Sequence, residues 1–185
     1  MTNASGPLTG IRVVDLTTAV SGPVAAVILA DQGADVIKIE PPGGDFMRAA
    51  GPKSGMNPTF VACNRGKRSI VLDLKQQGAA EILWRLIESA DVLIQNFRPG
   101  AIERLGFGAS TVAARNPRLV YLSISGVGES GPYSGKRVYD PIIQALGGLA
   151  DIQADPQTGR PRMVRTLIAD KTTAVYAAQA VVAAL

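Results

Sequence analysis

Histidine is absent from the 185 residues. That excludes Ser-His-Asp and Cys-His catalysis, a His general base and His-ligated zinc. The one cysteine, Cys63, can form neither an internal disulfide nor a multi-cysteine metal site, so no metal is expected. No uninterrupted apolar run approaches the roughly 18–20 residues a bilayer span needs. The opening MTNASGPLTG lacks the basic start and apolar run of a secretory signal, so a cytoplasmic protein with no membrane partner is expected. Aromatics make up only 5%, which leaves few stacking platforms for nucleic acid. The 19 basic residues outnumber the 15 acidic ones by four but form no block. A small anionic ligand suits that excess better than a polynucleotide. What is plentiful is apolar: 46% of the residues, enough for a real core.

The apolar material arrives in short runs. Ile11–Leu16 (IRVVDL) reads as a buried strand, and Gly22-Pro23 opens an Ala/Val/Leu-rich helix that Gly33 can stop. Asp35–Glu40 (DVIKIE) is a second strand, which completes a βαβ unit with parallel strands. Pro41–Asn64, with PPGGD, GPKSG and NP, shows little periodicity and reads as a long loop. Ser69–Leu74 and Asp91–Gln95 read as strands around a helix at Gln77–Ala90. Short helical turns are expected at Ala101–Leu105 and Thr111–Arg115, then a strand at Leu119–Ser125. A Gly-rich loop, Gly126–Gly135, leads to a helix at Asp140–Ala150 and a polar turn region at Asp151–Arg162. Thr166–Ala169 is a short apolar segment, and Lys171–Leu185 is a helix apolar nearly all round, which expects neighbours on several sides. The order implies an α/β fold: a Rossmann-like open, mostly parallel sheet with helices on both faces.

Two glycine-rich matches mislead. Gly126-Val-Gly128-Glu-Ser-Gly131 fits G-x-G-x-x-G and follows a strand, but Pro132 and Gly135 come where a dinucleotide fingerprint needs a helix. GKRS at Gly66–Ser69 lacks the first phosphate-loop glycine, because Val61 stands there. The cations at strand ends carry more: Lys75, Arg98, Arg104, Lys136 and Arg137 all follow strands, where ligands of open parallel sheets sit, and together could hold phosphates. Asp170 lies between apolar TLIA and a small-residue helix. It reads either as a helix cap or as a nucleophilic carboxylate favoured by the helix dipole.

Taken together, the segments LTGIRVVDLT, SGP, GADVIKIEPPGGD, NRGKRSIVLDLK, ADVLIQNFRPGAIERLGF, NPRLVYLSISGVGESGPY and LIAD resemble the class III CoA-transferases. This is the formyl-CoA/carnitine CoA-transferase type, related to α-methylacyl-CoA racemase. The resemblance runs from about Leu8 to about Ala180. It implies that residues 1–185 are the N-terminal part of the large CoA-binding domain, with the small domain and a returning C-terminal segment absent, and a homodimer of interlocked subunits at full length. It implies transfer of CoA between an acyl-CoA and a carboxylic acid through aspartyl anhydride and thioester intermediates. Carried over by position, the catalytic aspartate is Asp170. The CoA contacts are Val20, Ser21, Leu72 to Lys75, Asn96, Phe97, Arg98, Arg104 and Arg137 to Asp140, a stretch that includes Tyr139. Some formyl-CoA-type transferases carry glutamine where this chain has Val20, which counts against oxalate as acceptor. The racemases carry a catalytic histidine where this chain has Tyr139, which favours transferase over racemase. A truncated, non-catalytic CoA-binding remnant is the alternative of a different class.

Overall fold

The computed structural model describes residues 5–50 and 57–185. Five strands form one sheet: β1 (Arg12–Asp15), β2 (Asp35–Glu40), β3 (Arg68–Val71), β4 (Val92–Gln95) and β5 (Val120–Ser123), in the order β3-β2-β1-β4-β5. Every adjacent pair is parallel. The chain first winds outward from β1 through β2 to β3. It then returns to β4 on the other side of β1 and continues to β5. The winding reverses between β1 and β4, and the loops leaving those two strands part there and open a crevice.

Alternate residues of each strand face opposite layers. On one face Val14, Ile37 and Leu93 meet α4 (Gln77–Glu88), α5 (Ala101–Arg104) and α6 (Ala109–Arg115) through Leu83, Ile87, Ile102 and Val112, with Phe107 beside them. On the other, Val13, Val36, Val92 and Ile94 meet α1 (Ser21–Asp31) and α9 (Ile168–Ala184) through Ala26, Leu29, Ala178 and Val181. Ala25 faces Ala174 and Ala177 where α1 and α9 lie side by side, and these small side chains let the two helices approach closely. The α/β architecture with helices on both faces is as the sequence implies.

Three expectations change. The stretch Pro41–Asn64 is not simply a loop: α2 (Phe46–Ala49) and α3 (Pro58–Asn64) lie in it, each opened by a side chain, Asp45 accepting from the Met47 N–H and Asn57 from the Thr59 N–H. Residues 51–56 of that stretch lie outside the described residues. The helix expected at Asp140–Ala150 divides into α7 (Asp140–Leu146) and α8 (Leu149–Ile152), because Gly148 takes a left-handed conformation, φ 75°. Finally, Thr166–Ala169 is not a separate segment. The last helix already begins at Ile168, so Asp170 falls inside its first turn.

Buried charge ties α2 to the sheet. Glu40, at the end of β2, accepts two hydrogen bonds of 2.7 Å from Arg48 of α2, one from the Ser69 hydroxyl and one from the Asp45 N–H. The Arg48 bonds, against the cost of burial, bring the Glu40 pKa down to about 2.

Candidate active site

The crevice holds a cavity of about 390 Å³. Its walls come from the segments after three strands: Thr18, Ala19 and Ser21 after β1, Asn96 to Arg98 after β4, and Ile124 to Gly128 after β5. Lys136 to Asp140 and the first turn of α9, with Asp170, close it.

The turn after β1 is held unusually well. Thr18 donates its N–H to the Asn96 side-chain oxygen and accepts from the Asn96 amide, which locks the β1 and β4 exits together. Thr17 donates its N–H and its hydroxyl to the Asp15 carboxylate. These bonds hold Ala19 at φ 67°, the single described non-glycine residue with positive φ, and it lines the cavity. Such a conformation persists only where its surroundings over-determine it. Gly22 completes the turn. A side chain there would come within 2.4 Å of Thr17, so only glycine lets the first turn of α1 settle. Across the crevice, buried Gln95 accepts from the Phe97 N–H and donates to Ser123, which orients the β4 exit against β5. Gly126 passes so close to Val138 that a side chain would lie 1.8 Å from it.

Asp170 is half-buried and is not a helix cap. Its backbone N–H is itself capped, at 3.0 Å, by the Asp140 carboxylate from 30 residues earlier in the chain. The other Asp140 oxygen accepts from Gln144, and Gln144 in turn accepts from the Val164 N–H. Burial and the neighbouring Asp140 charge push the Asp170 pKa up from the ordinary carboxylate value, and a hydrogen bond from the Ser21 hydroxyl works against both. Three cations, Arg98, Lys136 and Arg137, share the walls with these two carboxylates.

Of the residues singled out in the sequence, Ser21, Asn96, Phe97, Arg98, Arg137, Tyr139, Asp140 and Asp170 meet in this cavity. Val20 is buried between Ala19 and Ser21. Leu72 belongs to the core, Lys75 is exposed in the turn after β3 and Arg104 is exposed on α5, and none of these three lines the cavity. Sequence reading missed Phe46, Thr18 and Ala19. Phe46 sits in the stretch read as a loop, and Asp45, the cap immediately before it, was its only signal. The G-x-G-x-x-G segment leads into bends and turns rather than a helix. Among the described residues, no group of three or more Cys, Asp or Glu could hold a metal ion, and no helix is long and apolar enough to cross a membrane.

Comparison with known proteins now bears on this crevice. A family model for CoA-transferase family III matches residues 8–185. The chain belongs to CoA-transferase family III. It is 42% identical to a succinate–glutarate CoA-transferase of Agrobacterium fabrum over 194 residues, covering 100% of this chain and 48% of that protein. It is 43% identical to an acetyl-CoA:oxalate CoA-transferase of Acetobacter aceti over 173 residues, covering 92% and 44%. The crystal structure of a CAIB/BAIF family protein from Brucella suis superposes with a TM-score of 0.93 at 39% identity, covering 97% of this chain and 49% of that one. The chain therefore spans about half the length of the curated relatives it matches. An oxalate transferase and a dicarboxylate transferase match about equally well, so the Val20 reading against oxalate gains no support from the comparisons.

Proposed function

We propose that the protein moves CoA from an acyl-CoA to a carboxylic acid, with Asp170 as the group that carries first the acyl unit and then CoA. The observation that supports this most is a carboxylate standing in a cavity with three cations at a sheet's switch point, in a chain of this family. Asp170 attacks the thioester carbonyl, the C–S bond breaks, and a mixed anhydride and CoA thiolate form. The thiolate attacks the aspartyl carbonyl, which releases the donor acid and leaves an aspartyl-CoA thioester. The acceptor carboxylate then attacks that thioester and repeats the two steps in reverse, freeing Asp170. One thioester replaces another, so no ATP is consumed. Arg98, Lys136 and Arg137 supply charge for the CoA phosphates, and Phe97 offers a face for the adenine.

The reading implies a ping-pong exchange. The intact protein, given a panel of acyl-CoA donors and carboxylic acids, converts donor to a new CoA ester without ATP, as chromatography of the CoA esters will show. Hydrolysis alone, or the absence of any new ester across the panel, would favour a CoA-binding module without transferase chemistry.

A further inference from the structure

Two lysines of the recognised motifs have no place in that mechanism, yet both are almost wholly buried. Lys67 belongs to the GKRS stretch that is not a phosphate loop. Its ammonium donates to Asp15 Oδ2 at 2.8 Å, to the Pro23 carbonyl at 2.9 Å and to Asn64 Oδ1 at 3.0 Å. All three donors are used, and the partners come from the end of β1, the first turn of α1 and the end of α3. Lys38, inside β2, donates to the Thr17 carbonyl at 2.7 Å and lies 3.0 Å from Asp45 Oδ2. The two ammoniums therefore grip the β1–α1 turn at both ends, at Thr17 and at Pro23. Ser21 lies between these points, on the stretch that also holds the strained Ala19.

A buried ion pair is a weak device for stability, since apolar residues of similar volume often do as well. It does fix geometry. We propose that Lys67, assisted by Lys38, is a positioning residue that fixes Ser21 beside Asp170, with which it shares the cavity wall, by locking the β1–α1 turn to α3. This rests on the reading of Asp170 as the group that carries the acyl unit. The groups whose charge or polarity reaches Asp170 are Asp140 from α7, Ser21 from α1 and Cys63 from α3, with Arg98, Lys136 and Arg137 around the cavity. Of these Ser21 alone lies between the two grips.

The test is a double-mutant cycle read on Asp170 itself, in intact protein carrying carboxyl-¹³C aspartate. Lys67→Met is expected to raise the Asp170 titration midpoint and to lower kcat/KM about tenfold. On a Ser21→Ala background the same substitution should leave the midpoint where Ser21→Ala puts it. An equal displacement on both backgrounds would mean that Lys67 acts through its charge alone, and would overturn the proposal. Asp15→Asn combined with Lys67→Met guards against misfolding, because it removes one buried charge of each sign while still abolishing the bonds to Pro23 and Asn64. It should show the same non-additivity, and an unmoved midpoint in that variant would equally overturn the idea. A protein with no CoA exchange would remove the reading of Asp170 as an acyl carrier, yet leave this titration cycle readable.

Discussion

Asp170→Ala is expected to leave CoA bound as tightly as before and to lower transfer by about 10⁴-fold or more. Of the two carboxylates lining the cavity, Asp140 is occupied by Gln144 and by the N–H of Asp170, which leaves Asp170 as the nucleophile. Removing it leaves Arg98, Lys136 and Arg137 in place, so binding and chemistry separate. Asp170→Asn should behave alike, since an amide cannot form the anhydride. The pH profile carries the same signature. The ionised form is the nucleophile, and its pKa is raised by burial and by Asp140. Activity therefore falls as pH falls through that raised pKa, and the loss sets in at a higher pH than an ordinary aspartate would give. Steady-state kinetics across pH, beside calorimetric titration of CoA, will measure both effects.

The second large effect is on stability. Asp15→Ala should cost about 3–5 kcal/mol, because it leaves the Lys67 ammonium buried beside no anion. Asp15 is fully buried. Burial raises its pKa, but the Lys67 and Lys38 charges and the Thr17 bonds outweigh that and hold it below the ordinary value. The pair is unequal: for Lys67 burial wins, and its pKa is lowered despite Asp15. Adding Lys67→Met to Asp15→Ala should recover part of the loss, since the stranded charge disappears. Denaturant midpoints of the two variants test this, and an Asp15→Ala protein as stable as the parent would refute it.

Much of the fold was legible because its signals are local. IRVVDL and DVIKIE are β-branched runs of strand length, and Gly33 ends the helix between them. What escaped depends on distant partners. The last helix starts at Ile168 because Asp140 caps it from another helix, and nothing near Ile168 announces that. The helices α2 and α3 are too short for periodicity to show, although Asp45 and the Asn57-Pro58 step are local start signals. In the crevice, Asn96 to Arg98, Arg137 and Asp170 were found by position at strand ends and by motif. Lys38 could not be. A lysine in a strand looks like an outward-facing residue until Thr17 and Asp45 are seen to receive it. Lys75 and Arg104 follow strands as the others do, but they leave β3 and the α5 turn away from the β1–β4 switch point, where winding order rather than sequence decides what converges.

The most direct measurement is mass spectrometry of the intact protein after brief exposure to acyl-CoA without an acceptor acid, followed by proteolysis at low pH. The account predicts a peptide containing Asp170 that carries the mass of CoA in thioester linkage, lost on adding an acceptor and never formed in the Asp170→Ala protein. CoA attached at another side chain, or full transfer activity in the Asp170→Ala protein, would contradict it.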